Sequence, residues 1–312
     1  MKLAFVFPGQ GSQYVGMGKN LAETYSEAAA VFQEADAVLG FKLSELCFNG
    51  PETELVRTAN TQPALLTVSV AALRVLAKAG IQPAMVAGHS LGEYSALVAA
   101  EVLSFADALR LVRRRGELMQ EAAPPGTAGM AAILGLEREQ VVAVCREAET
   151  LGVVEPANFN CPGQIVIAGE KAALEKAMEL AKARGAKRVV TLNVSGPFHS
   201  SLMLPAARGL APALDEVEFY PPQVPVVVNV SGRILTDPKM LKQSLLLQVQ
   251  KSVLWEDCIQ TMVAAGVDTF IEVGAGKVLS GLIKKINKGV RVFAVEDAES
   301  FQRTLAELRE VG

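Results

Sequence analysis

Ala84-Met85-Val86-Ala87-Gly88-His89-Ser90-Leu91-Gly92-Glu93-Tyr94-Ser95-Ala96-Leu97 decides the reading of this chain. An apolar run at residues 84–87 reads as a short strand, and a helical pattern runs from residue 91 to about residue 100. Between them Gly88 and Gly92 stand two residues either side of Ser90, the G-x-S-x-G pattern of a sharp strand-to-helix turn. Glycine suits both flanks because the arms of so tight a turn pack backbone against backbone. The serine hydroxyl then projects at a helix N-terminus, where free N–H groups and the helix dipole favour developing negative charge. The N–H of Leu91 is a candidate oxyanion donor. In a chain with 26 glycines among 312 residues the pattern alone arises readily by chance. The strand before it and the helix after it make Ser90 a candidate nucleophile.

Outward from this turn, strand-like runs rich in Val, Ile and Phe alternate with helical patterns, which predicts an α/β protein. Residues 3–7, 224–229, 269–273 and 290–295 read as further strands, and residues 22–39, 64–79 and 105–120 as helices. Pro124-Pro125-Gly126 breaks the chain. After it, residues 130–134, 137–149, 153–158, 164–168, 172–183 and 188–193 read as β-α-β-β-α-β, the split pattern of ferredoxin-like folds. The expected architecture is a large α/β-hydrolase-like domain, residues 1–126 and 195–312, interrupted by a small ferredoxin-like subdomain at residues 127–194.

Bulk properties exclude several classes. Half of the residues are hydrophobic and 20% are charged, an ordinary globular balance. No apolar stretch reaches the roughly 18–20 residues of a membrane helix. The run at residues 3–7 is too short for a signal-peptide core, so a cytoplasmic protein is expected. A net charge of −3 gives no sign of a nucleic-acid binder. Cys47, Cys145, Cys161 and Cys258 contain no C-x-x-C pair and read as reduced thiols. With two histidines in the chain, no metal site is expected.

A serine hydroxyl needs a base, and His89 and His199 are the histidines available. His89 directly precedes Ser90, so its ring should point away and bond nearby backbone. A substrate carboxylate would need a fixed cation, for which arginine offers a planar two-pronged donor set. Arg113, Arg114 and Arg115 lie consecutively on one helix, about 100° apart, so all three cannot face one site.

Six ordered blocks resemble the malonyl/acyl transferase family of fatty-acid and polyketide synthesis. They are Phe7-Pro8-Gly9-Gln10-Gly11-Ser12-Gln13, Asn60-Thr61-Gln62-Pro63-Ala64, the Ser90 turn, Asn158-Phe159-Asn160-Cys161-Pro162-Gly163-Gln164, Gly196-Pro197-Phe198-His199-Ser200 and Phe270-Ile271-Glu272-Val273-Gly274. Their order and the length of the chain fit the discrete bacterial-type enzyme. The resemblance implies His199 as the base and the Gln10 and Leu91 N–H groups as the oxyanion hole. It selects Arg115 for the substrate carboxylate, with Gln248, Gln62 and Asn160 as further substrate-binding candidates. Gln250 competes locally with Gln248, and Ser252 and Ala275 stand where the family usually has proline. The histidine is oriented in the family by a backbone carbonyl, so a dyad is expected. Phe198 goes in the family with malonyl units.

The resemblance thus implies transfer of a malonyl group from malonyl-CoA to acyl carrier protein through an acyl-serine, with a CoA thioester as substrate and no cofactor. A buried Arg115 should be satisfied by glutamine oxygens or water. An acidic carrier protein calls for a basic patch, for which Lys182, Arg184, Lys187 and Arg188, or Lys284, Lys285 and Lys288, are candidates. Three other readings stay open on the residues alone: a serine hydrolase using the same turn, a non-catalytic carrier-protein binder, and, more narrowly, an acyltransferase for another extender unit.

Overall fold

The computed structural model describes residues 1–124 and 126–311. Pro125, inside the expected break, and Gly312, the expected end of the large domain, lie outside the described residues. The chain opens with β1 (Leu3–Phe7), α1 (Lys19–Thr24), α2 (Ser26–Leu39), α3 (Leu43–Asn49), α4 (Glu52–Leu55) and α5 (Thr58–Lys78). β2 (Met85–Gly88), α6 (Gly92–Ala99) and α7 (Phe105–Glu121) follow. Next come β3 (Ala128–Leu134), α8 (Arg138–Ala148), β4 (Val154–Cys161), β5 (Gln164–Glu170), α9 (Lys171–Ala183) and β6 (Arg188–Leu192). The last part holds α10 (Leu204–Asp215), β7 (Val226–Val228), β8 (Arg233–Leu235), α11 (Pro238–Gln248), α12 (Trp255–Ala264), β9 (Thr269–Val273), α13 (Val278–Ile286), β10 (Arg291–Val295) and α14 (Ala298–Val311).

Among the described residues the strands form two sheets, and the molecule is a mixed α/β protein. The larger sheet has the order β10-β9-β1-β2-β7-β8. All its pairs are parallel except β7 with β8. β1, β2 and β9 are buried end to end, as strands covered on both faces must be. Their side chains alternate between two cores. Phe5, Phe7, Val86 and Ile271 join the helices α2, α5, α6 and α7, while Ala4, Val6, Ala87 and Phe270 join α12 and α13.

The smaller sheet, order β4-β5-β3-β6, is antiparallel throughout. Ala131 and Ile133 face α8 and α9, whereas Met130 and Ala168 face the core of the larger layer. The small sheet therefore has no free face, and the space between the two sheets is where a site can form.

Two helices differ from expectation. The helix expected at residues 22–39 is split at Tyr25, which is extended and sets its ring edge-on against Phe301 of α14 at 5.5 Å. The Thr24 hydroxyl bonds back to the Asn20 carbonyl at 2.7 Å, a local competitor that ends α1 there. Conversely α5 starts at Thr58 and runs through Pro63. A proline leaves the carbonyl four residues back without its helical partner. That carbonyl, on Ala59, accepts from Arg113 Nη1 at 3.0 Å. No described helix is long and apolar enough to cross a membrane.

Candidate active site

Parallel pairing of Phe7 with Gly88 brings the loops leaving β1 and β2 side by side, at the carboxyl end of the sheet where α/β proteins bind ligands. The His89 N–H donates to the Phe7 carbonyl at 3.0 Å. A Cβ on Gly88 would overlap the Gly92 carbonyl and the Glu93 nitrogen, and one on Gly92 would overlap the Phe7 carbonyl. Both glycines are thus demanded by backbone contact. Ser90 between them takes the left-handed region, φ 52°, which costs a non-glycine residue about 1–3 kcal/mol unless its surroundings fix it.

Ser90 Oγ lies 2.7 Å from His199 Nε2. His199 Nδ1 lies 2.8 Å from the Gln248 carbonyl oxygen. A carbonyl only accepts, so the proton sits on Nδ1, and Nε2 is left to accept from the serine. His199 also has positive φ, 61°, which turns its ring from the loop before α10 toward the cleft. Burial, then the positive charge of Arg115, pushes the imidazole down to about 3. It is therefore neutral, in the base form, at any ordinary pH.

Arg115 is 1% exposed and has no carboxylate partner among the described residues. Its Nη1 donates to Gln62 Oε1 at 2.8 Å, and its Nη2 to Gln248 Oε1 at 3.0 Å and Ser90 Oγ at 3.2 Å. Its Nε is buried without a partner. A cation held by neutral amide and hydroxyl oxygens keeps capacity for an anion. Arg113 and Arg114 turn elsewhere, to Glu117.

Behind the turn stands a group that sequence reasoning missed. Asn229, just past β7, is fully buried. Its Nδ2 donates to the Gly88 carbonyl at 2.7 Å, while its Oδ1 accepts from the Ser90 N–H at 2.7 Å and Gln248 Nε2 at 3.2 Å. Gln248 Nε2 also donates to the Ser90 carbonyl at 3.0 Å. Glu93, in the first turn of α6, accepts from the Asn229 N–H at 2.7 Å. A buried polar residue at the carboxyl end of an apolar strand was the available signal for Asn229.

The cavity in front of Ser90 holds about 100 Å³ and takes in Gln10, Gln62, Leu91, Arg115, Phe198 and His199 of the expected set. His89, Met119, Met130, Asn158, Leu192 and Val194 complete its walls and were not expected there. Its walls are loops and helices at the carboxyl end of the larger sheet and strands of the smaller one. The N–H groups of Gln10 and Leu91 have no acceptor among the described residues. Gln248 sits behind the cavity under Arg115, and its carbonyl, not that of Gln250, receives His199. Asn160 lies off the cavity wall, its Oδ1 2.8 Å from His89 Nε2. His89 therefore bonds a side chain from β4 in place of the nearby backbone expected for it. Ser252, at the proline position, donates to the Pro156 carbonyl of β4 at 2.6 Å. Ala275 is buried. The four cysteines are buried and free. Among the described residues no cluster of His, Cys, Asp and Glu could hold a metal ion.

Residues 4–302 match the family model described as acyl transferase domain. The chain is 51% identical over 310 residues to a malonyl CoA-acyl carrier protein transacylase of Bacillus subtilis, covering 99% of this chain and 98% of that protein. It resembles the crystal structure of an acyl carrier protein S-malonyltransferase from Vibrio cholerae, with TM-score 0.95, 50% identity, and 97% and 100% of the two chains covered. It also resembles a malonyl-transacylase solved in complex with its type II PKS acyl-carrier protein, with TM-score 0.96, 46% identity, and 98% and 100% covered.

Proposed function

The chain belongs to the acyl transferase domain family, and on that premise we propose that it moves the malonyl group of malonyl-CoA to the phosphopantetheine thiol of acyl carrier protein, through an ester on Ser90, in fatty-acid synthesis. It is an acyltransferase. The substrate reading is carried by Arg115, a desolvated guanidinium 3.2 Å from the Ser90 hydroxyl. A hydrolase of neutral esters has no use for a cation there. A malonyl thioester brings a free carboxylate to it.

In the first half-reaction His199 Nε2 takes the Ser90 proton as Oγ attacks the thioester carbon. The oxyanion falls to the N–H groups of Gln10 and Leu91, each worth roughly 10²–10³ in rate. The C–S bond breaks, the CoA sulfur takes the proton from His199, and malonyl-Ser90 remains. In the second half the carrier-protein thiol gives its proton to His199, attacks the ester, and releases Ser90 with that proton restored. General-base help of this kind contributes roughly 10²–10⁴-fold. When the malonyl carboxylate settles on Arg115 it offsets the charge that, after burial, weakens His199 as a base. The acyl group thereby strengthens the base that will use it. Gln62 and Gln248 hold Arg115, Phe198 packs beside the acyl chain, and Asn160 supports the wall through His89. Every step moves protons and an acyl group, so no cofactor is assigned.

Finer readings of architecture go with this function. The strand–turn–helix at Ser90 supports an α/β-hydrolase-like large domain, residues 1–126 and 195–312. The β-α-β-β-α-β order and the sheet order β4-β5-β3-β6 support a ferredoxin-like subdomain at 127–194. Free, buried cysteines and the absence of a membrane-length helix among the described residues support a cytoplasmic place. The two basic clusters approach one hairpin: Lys187 packs against Gly135, whose N–H donates to Gly163, and Lys285 donates to Gln164 at 3.3 Å. They are assigned to one docking belt for the acidic carrier protein. Reversing Lys284, Lys285 and Lys288 to glutamate should slow transfer to carrier protein at low salt while sparing Ser90 malonylation; equal rates would remove the belt.

Arg115→Ala tests the substrate reading. Malonyl transfer should fall by about 100-fold or more, with discrimination against acetyl-CoA lost. Unchanged preference for malonyl-CoA would contradict it.

A further inference from the structure

Ser90, His199 and Arg115 account for the transfer and leave without a task the buried carboxyl group that stands directly behind the nucleophile turn. Glu93 is 1% exposed. It makes no ion pair among the described residues; it accepts from the Asn229 N–H at 2.7 Å and the Ser244 hydroxyl at 3.5 Å, with the Gln248 side-chain amide beside it. A carboxylate buried on two neutral donors is costly to keep, and it sits where the machinery converges. Asn229 bridges the Gly88 carbonyl and the Ser90 N–H, and its oxygen also receives Gln248. Gln248 holds the Ser90 carbonyl, Arg115 and, by its own carbonyl, His199.

We propose that Glu93 is a positioning residue for acyl transfer: it anchors the Asn229 main chain, and through the Asn229 amide it fixes the left-handed Ser90 backbone and the Gln248 carbonyl that orients His199. The proposal rests on Ser90 being the nucleophile. Asparagine is required at 229 because the bridge needs a donor and an acceptor on one planar group. Aspartate, of the same size, would keep the bond to the Ser90 N–H and set oxygen against the Gly88 carbonyl. Neither Glu93 nor Asn229 lines the cavity. Their influence must therefore appear in the rate of Ser90 acylation and leave donor affinity nearly unchanged.

The anchor is also sensitive to pH. Burial pushes the Glu93 carboxyl up to about 7, against the pull of its hydrogen bonds and of Arg115. The other groups facing it keep one charge state near neutrality. Arg115 on α7 stays cationic, and Tyr94 is pushed up to about 12. The Cys258 thiol on α12 is held well above its ordinary value by burial and by Glu93 itself. Ser244 and Gln248 on α11 and Asn229 past β7 do not titrate. Burial lowers both histidines of the site, His199 to about 3 and His89 below its ordinary value, so a limb near 7 belongs to Glu93. Charged Glu93 holds Asn229 by a charge-assisted bond, about twice the strength of the neutral one.

Single-turnover malonylation of Ser90 by saturating malonyl-CoA, followed by intact-protein mass across about pH 5–9, is the test. In the wild type the rate should rise with pH through a midpoint near 7. Glu93→Gln, which keeps an acceptor for Asn229, should stay within about 5-fold of wild type and lose that limb. Glu93→Ala and Asn229→Asp should fall roughly 100-fold, with half-saturating malonyl-CoA changed by less than about 3-fold. A limb retained in Glu93→Gln, a full rate in Glu93→Ala, or a loss confined to donor affinity would overturn the proposal. A fluorophosphonate probe of Ser90, run on the same variants, should show the same limb and the same losses. It separates the two claims: a wild type that reacts with the probe but takes no malonyl group contradicts the substrate reading alone.

Discussion

Ser90 and His199 both sit in left-handed backbone, φ 52° and 61°, so the two reacting side chains are aimed by strain held in place from behind. The residues that do the holding were the hardest to read. Ser90 and Leu91 were legible from the turn itself, because the glycine spacing has a steric cause. His199 and Arg115 were legible only through resemblance, since a lone histidine and one of three arginines carry no local signature. Glu93 and Asn229 carried the weakest signal: they lie far apart in sequence and acquire their joint meaning from a 2.7 Å contact. Glu93 also has a thermodynamic signature. Its folded value near 7 lies above its ordinary 4.5, so the folded state binds the extra proton between those values and loses stability as pH rises through them. Glu93→Gln should therefore raise stability at pH 8 by on the order of 3 kcal/mol, with the gain fading toward pH 4.5. Denaturant unfolding at both pH values checks this, and a variant less stable at pH 8 would contradict the buried charge.

At the scale of elements, the strand–turn–helix unit is set by backbone contact. Gly88→Ala would drive its Cβ into the Gly92 carbonyl and the Glu93 nitrogen, neither of which can yield. It should cost about 3 kcal/mol or more. Gly281→Ala is the matched control: it lies at an exposed position of helix α13 with no atom within 4 Å of its Cβ, and should stabilise by about 0.5–1 kcal/mol. Urea midpoints of the two variants check the pair. Element identity was legible where periodicity was strong, as in β1, β9 and α7. It failed where tertiary contacts decide. Tyr25 breaks one expected helix to reach Phe301, and Pro63 stays inside another because Arg113 satisfies the carbonyl it frees.

The whole molecule places one cavity between two sheets, the nucleophile on one layer and part of the wall on the other. The alternation of periods foretold the two sheets, but not which faces meet. That depends on Met130 and Ala168 turning toward the larger layer while Ala131 and Ile133 turn away. The cavity, about 100 Å³ with a cation at its end, suits a short acyl group that carries charge, held as an ester until a thiol arrives. The measurement that meets this claim most directly is intact-protein mass after brief mixing with malonyl-CoA, with Ser90→Ala as control and acyl carrier protein added second. One malonyl increment is expected on the wild type and none on Ser90→Ala, with discharge to the carrier thiol much faster than to buffer. An adduct lost equally fast to water, or one that survives Ser90→Ala, would contradict it.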